Sequence, residues 1–300
     1  MVTFVRGTVR VSVPATSANL GPGVDSLGLA LELRDELEAE VVDGWLAVDV
    51  AGVGADDVPR DESHLVVRAM RAAFAQMGAQ PPGLRLACRN VVPHARGLGS
   101  SSAAIVAGVC LARALVAGGT LLMDDEALVD LAARLEGHPD NVAPAFHGGF
   151  VVSGSEAGAF YAVRSSVDPR VSAVVLVPPT PVSTELARGL LPAQVPHADA
   201  AADAGRTALL VAALAGQPEH LFLATRDYLH QEYRRSAMPE SLALVDALRA
   251  EGVPAIVSGA GPTVLAFTDG RAAAERLLAR CPPGWAAHHL AVAREGARMG

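Results

Sequence analysis

The 300-residue sequence predicts an α+β fold with helices layered on sheet. Three observations lead there. Stretches of strand periodicity and helix periodicity are mixed from end to end. Two apolar stretches, Ala103–Val116 with a single arginine and the continuous Val171–Val177, read as a helix and a strand buried in cores. There is no internal repeat, and no low-complexity tract beyond alanine-rich helices.

In chain order, Thr8–Val13 alternates and reads as a strand. Glu38–Val50, broken by Asp43-Gly44, reads as a hairpin, because Asp-Gly is a strong turn signal. Ser63–Met77 has helical spacing through Leu65, Ala69, Ala72 and Ala73, with Ser63 as its cap. Leu84, Leu86 and Cys88 share one face of a strand while Arg85 and Arg89 take the other. The apolar helix Ala103–Val116 is interrupted only by Arg113. Glu126–Leu135 is amphipathic and stops at Gly137. Gly149–Ser153 and Phe160–Val163 read as strands. Ser165–Arg170, polar and carrying a proline, is the expected boundary between two domains, 1–166 and 167–300. Beyond it, Val171–Val177 is a central strand, and Ser183–Leu190, His197–Ala215, Pro218–Leu229 and Glu240–Glu251 are helices. Ala255–Ser258 and Val264–Thr268 are short strands, Gly270–Arg280 is helical, and His288–Val292 is a last strand.

Composition narrows the function. The length suffices for a proper core, and 51% hydrophobic residues exclude a disordered chain. No apolar run reaches the roughly 18 residues of a membrane helix, and no secretory signal is expected at the start. Cys88, Cys110 and Cys281 are odd in number and widely spaced, so buried free thiols in a reducing cytoplasm are expected. A net charge of −8 argues against a nucleic-acid partner. All 24 basic residues are arginine, so Schiff-base chemistry and a lysine phosphate clamp are excluded.

The densest functional signal is Pro93–Ala103, set between a strand and the buried helix. Gly97 and Gly99 let the backbone approach a ligand where a Cβ would collide. Ser100, Ser101 and Ser102 stand where a helix begins and its first N–H groups lack partners. Amides, helix dipole and hydroxyls together make an anion site, with phosphate its usual occupant. It is not a Walker A loop, because no lysine follows, and it lacks the third glycine of a dinucleotide fingerprint.

This loop resembles the phosphate loop of the GHMP small-molecule kinases. Three further stretches resemble that family in the right order: Val13–Gly28, Glu136–Val142 and Ser258–Val264. The resemblance covers nearly the whole chain and is greatest to the members that phosphorylate homoserine. It implies two α+β domains, an N-terminal one like ribosomal protein S5 domain 2 and a ferredoxin-like C-terminal one. It implies ATP-dependent phosphorylation of the L-homoserine hydroxyl in threonine biosynthesis, in a cytoplasmic homodimer without membrane partners. The alternatives are a GHMP kinase acting on another small alcohol, mevalonate-like or a sugar, or a non-catalytic nucleotide-binding protein on the same fold.

The resemblance also implies roles. ATP falls to Pro93, His94, Ala95, Arg96, Gly97, Leu98, Gly99, Ser100, Ser101, Ser102 and Ala103, and to His64 where the family usually carries Asn. Mg²⁺ falls to Ser100 and Glu136, and the catalytic group is Asn19, Asp25 and Glu136. Asn19 and Asp25 line the acceptor pocket, with Asp25 open as a base or a positioning group. A zwitterionic acceptor wants arginine for its carboxylate and a carboxylate for its ammonium. Arg188, Arg234 and Asp140 match those demands, with Asn141, Thr184, Gly259 and Gly261 beside them. Arg235 is the alternative to Arg234, and His138 is expected to be a structural cap.

Overall fold

The computed structural model describes residues 2–300. Two strands dominate its first sheet. β1 (Val9–Asn19) and the 20-residue β2 (Gly23–Val42) run antiparallel and reverse tightly through Leu20–Pro22. β2 is long enough to serve two partners. Its second half pairs with β4 (Gly83–Asn90), and its first half, Leu27–Leu29, pairs with β5 (Phe150–Glu156). β6 (Ala159–Ser165) forms a hairpin with β5, and β11 (Arg298–Met299) brings the chain's end back onto β1.

The expected hairpin over Glu38–Val50 does not form. Asp43-Gly44 does turn the chain, but β3 (Leu46–Gly52) pairs in parallel with β4, which lies between it and β2. A turn signal fixes a reversal, not the neighbour, and the parallel pair is closed by the crossover helix α1 (Leu65–Gln76). Ser63 does not cap that helix. Its N–H and hydroxyl both donate to Asp61 Oδ1, and His64 occupies the cap position without a side-chain bond.

α1, α2 (Ser100–Leu115), α4 (Asp125–Glu136) and α5 (Pro139–His147) cover one face of this sheet, and the short α3 (Gly119–Leu122) follows α2. Eleven of sixteen α2 residues are buried, so this helix is the centre of the layer rather than its edge. Leu37, Leu84 and Leu86 from the strands meet Met70, Phe74, Ile105 and Leu111 from the helices.

The second sheet has the order β10 (Ala286–Ala291), β7 (Val171–Val177), β9 (Val264–Asp269), β8 (Ala255–Val257), all antiparallel. β7 is an interior strand buried on both faces, as its unbroken apolar run predicts. One face joins Leu210 and Leu214 of α7 (His197–Gly216) to Leu20, Leu27 and Leu98 of the first half of the chain. The other meets α9 (Pro239–Ala250) and α10 (Arg271–Leu278) through Leu242, Val245 and Leu277. Between β7 and α7 runs α6 (Thr184–Gly189).

The helix expected over Pro218–Leu229 is cut short. A single 3₁₀ turn leads into α8 (Leu221–Ala224), and the chain then loops, because the Asp227 carboxylate takes the N–H groups of Leu229, His230 and Gln231. Conversely, α5 is a helix that the periodicity did not suggest; Pro139 opens it at its first position.

Candidate active site

Three loops meet where the two sheets face each other. The β1–β2 reversal holds Asn19, Leu20 and Asp25 at φ of 64°, 54° and 55°, values that L-residues rarely adopt. Asn19 organises this loop with both ends of its amide. Its NH₂ donates to Gly259 O at 2.9 Å, and its Oδ1 accepts from Asp25 N–H at 3.0 Å.

The second loop leads into α2. Gly97 and Gly99 have φ of 72° and 68°, and a Cβ on either would collide, with Ser258 O and with the Thr16 hydroxyl respectively. The first α2 bond is Ala103 N–H to Gly99 O, so Ser100, Ser101 and Ser102 have amides without an intrahelical acceptor. Arg96 does not reach over this loop as a free cation. Its guanidinium donates to the carbonyls of Pro178, His94 and Pro179 and ties the loop to the chain after β7.

The third loop, Ser258–Thr263, packs on the second. The Ser258 hydroxyl donates to Gly97 O at 2.6 Å, and Thr263 N–H donates to Arg96 O at 3.3 Å. Gly259 N–H reaches Ala18 O at 3.1 Å, so main-chain bonds lace all three loops together.

Asn19, Asp25, Ala95, Arg96, Gly97, Leu98, Gly99, Ser100, Ser101, Glu136, Asp140, Asn141, Thr184, Arg188, Arg234 and Gly259 line one cavity of about 100 Å³. Pro93, Ser102, Ala103 and Gly261 do not line it. Of the two adjacent arginines, Arg234 faces this cavity, while Arg235 turns to the surface and pairs with Glu232 and Asp246. A larger concavity, about 1150 Å³, lies elsewhere, against β1–β4. Along it Arg10 pairs with Glu38 and Arg89 with Glu36.

The acidic and basic groups of the site are already partnered. Arg188 spans the Asp25 carboxylate at 2.7 and 3.3 Å, both side chains nearly half exposed. Asp140 is buried and accepts from His138 Nδ1 at 2.6 Å. Burial alone would push His138 down, but the hydrogen bond and charge of Asp140 outweigh it and leave the imidazole above its usual range. Burial and the nearby Arg188 lower Arg234, against Asp227, Asp25 and Asp140. Glu136 accepts from the hydroxyls of Ser101 (2.6 Å) and Ser102 (2.9 Å), whereas Ser100 makes no such bond. The Asn141 Oδ1 accepts from Thr16, which leaves its NH₂ for a ligand.

His64 and His94 line an adjoining cavity of about 290 Å³ that shares Ala95, Ser100 and Ser101 with the first. His64 is buried, and its Nδ1 has no partner among the described residues. Burial and His94 hold it below the usual imidazole range.

The sequence reading missed His138 as a lining residue. It sits at the α5 cap position but makes no cap bond; its ring turns to Asp140 instead. A histidine two residues before a buried acid was the available signal. Asp227 and His230, behind the cavity, were not singled out either, although His230 stands only four residues before Arg234 and Asp227 three before His230.

Comparison with known proteins agrees with this geometry. The family described as GHMP kinases N terminal domain matches residues 64–149, and GHMP kinases C terminal matches residues 209–283. The homoserine kinase of Streptomyces coelicolor is 55% identical over 99% of this chain and 96% of its own. That of Streptomyces avermitilis is 55% identical over 99% and 97%. The crystal structure of homoserine kinase from Cytophaga hutchinsonii superposes with a TM-score of 0.85 at 26% identity, over 99% of this chain and 98% of that one.

Proposed function

The chain belongs to the GHMP kinases, alongside their homoserine kinases, and from that premise we propose that it transfers the terminal phosphoryl group of ATP to the hydroxyl of L-homoserine. The products are ADP and O-phospho-L-homoserine, a step in threonine biosynthesis. The observation that carries this is the convergence, in one cavity, of unpartnered α2 amides with Arg188, Arg234, Asp25 and Asp140.

The amides of Ser100–Ser102 and the positive end of α2 take the phosphate oxygens. The nucleoside lies in the adjoining cavity, where the vacant Nδ1 of His64 meets the base or sugar. At the other end, Arg188 and Arg234 take the acceptor carboxylate, and Asp25 and Asp140 take its ammonium. The exposed Asp25–Arg188 pair is worth only about 0–1 kcal/mol, so a zwitterion bringing both charges exchanges with it at little cost. The NH₂ of Asn141 aligns the acceptor hydroxyl toward the phosphate loop. Asp25, engaged by Arg188 on one side, positions rather than deprotonates, because a loose transition state asks little of a base.

The donor set suits Mg²⁺. Glu136 offers a carboxylate beside serine hydroxyls at the phosphate end, and among the described residues no cluster of three or more metal-binding side chains exists. A hard ion held by Glu136, Ser100, phosphate oxygens and water fits that set. When bound, it neutralises charge on the phosphates.

No helix is long and apolar enough to cross a membrane among the described residues, and a cytoplasmic homodimer is part of the proposal. The passage from the first sheet to the second between Ser165 and Val171 supports the division into 1–166 and 167–300. ADP release measured with L-homoserine, mevalonate, galactose and shikimate tests the reading. Turnover with homoserine alone is expected; preference for another acceptor overturns it.

A further inference from the structure

Arg234 is 3% exposed and could rotate its guanidinium in several ways, yet it is held in one. Nε donates to Ala187 O at 3.2 Å, and Nη1 donates to Gly259 O at 3.3 Å and to His230 Nδ1 at 2.8 Å. Nη2 has no bond to any described residue and is the nitrogen left for a ligand. His230, one turn earlier, is 1% exposed.

Its tautomer follows from its neighbours. Every guanidinium nitrogen is a donor, so Nδ1 must accept and carries no proton. The ring hydrogen is then on Nε2, which donates to Gly21 O at 2.7 Å. Asp227, 3.7 Å from Nε2, and Arg234 are the nearest charged groups facing the ring, with Asp25 further off. Burial, first of all, keeps the imidazole below its usual range and therefore neutral. The Asp227 carboxylate takes the backbone N–H of His230 and fixes the turn that carries it. His230 thus joins the acceptor-loop reversal at Gly21 to the arginine that also holds Gly259.

We propose that His230 is a positioning residue for the acceptor: by accepting from Arg234 Nη1 it sets the guanidinium so that Nη2 presents to the acceptor carboxylate. The inference rests on the zwitterionic acceptor proposed above.

The two ring nitrogens are separable by substitution. His230→Asn keeps an acceptor near the Nδ1 position and loses the donor to Gly21; His230→Gln keeps a donor near Nε2 and loses the acceptor for Arg234. A hydrogen bond to a charged group predicts that H230Q raises KM for homoserine about tenfold or more, with kcat and KM for ATP within about twofold. H230N should raise it less than about threefold. Melting temperatures measured alongside separate this from loss of packing. Equal KM rises in both variants, or rises in both substrates that track the loss of Tm, overturn the proposal. In an Arg234→Ala background H230Q should raise KM no further, and a multiplicative rise contradicts it.

If H230Q does not fold, the wild type decides. Its ¹⁵N-histidine spectrum should show a neutral ring with the proton on Nε2, whose signals move when homoserine binds. A protonated ring, or the other tautomer, overturns the proposal. Should the wild type prefer a different acceptor, the Asn and Gln variants are compared on that acceptor's KM, so failure of the substrate reading stays distinct from failure of this one.

Discussion

The two ends of the cavity are made of different material. At the proposed phosphate end the groups turned to the cavity are main-chain amides at the start of α2, held by the conformation of Gly97 and Gly99. At the acceptor end they are side chains already in pairs: Asp25 with Arg188, Asp140 with His138, Arg234 with His230. An amide site depends on backbone shape and is indifferent to most side chains. A site of paired side chains depends on identities, and its strength varies with how deeply each pair is buried.

Substitutions at each end sharpen that contrast. Arg234→Ala removes a buried, hydrogen-bonded charge, a class of change that costs about 2–5 kcal/mol. It should raise KM for homoserine by roughly 10²-fold or more while ATP binding, followed by titration, stays within about twofold. Loss of ATP affinity instead would mean that the two ends are not separate. Gly99→Ala forces a Cβ against the Thr16 hydroxyl and strains a positive φ. A displacement of the loop by about 1 Å predicts a fall near 10²-fold in kcat/KM for ATP. An unaffected alanine variant would contradict an amide-built phosphate site.

Arg188→Ala should cost less than Arg234→Ala. Its pair with Asp25 is half exposed, so an increase of about tenfold in KM for homoserine is expected from lost carboxylate binding. An effect equal to that of Arg234 would break the distinction between exchangeable and fixed partners.

The smallest effect concerns stability. Asp203, behind the acceptor end, is pushed up by burial to about 6. The folded state therefore favours its protonated form, and that stabilisation is complete below about pH 4 and lost as pH rises through 6. Asp203→Asn stays neutral throughout. Denaturant unfolding should show the variant gaining on the wild type between pH 4 and 6, by on the order of 1–3 kcal/mol. A constant difference across that range would contradict it.

The same contrast explains what could be read in the sequence. Gly97, Gly99 and three serines before an apolar helix announce themselves within a few residues, because backbone sites are local. Arg188 and Asp25 are 163 residues apart, and no local pattern predicts that they pair in the free protein. His138, expected to be a structural cap, lines the cavity and holds Asp140, a tie between residues only two apart that the local spacing did carry. The turn at Asp43-Gly44 was legible, but the identity of its neighbour was not, since the placement of β4 is decided by packing far along the chain. Asp227 ended an expected helix by drawing three N–H groups away from it, a competition that apolar spacing does not register.

The central claim is that one cavity aligns a zwitterionic alcohol with a phosphate held by the α2 amides. It is tested most directly by kcat/KM on L-homoserine, 4-hydroxybutanoate and 3-aminopropan-1-ol, read as ADP release. Removing either the amine or the carboxylate strands a charged partner in the site and should lower kcat/KM by about 10²-fold or more. Equal turnover of an analogue that lacks one of the two charges would contradict the account.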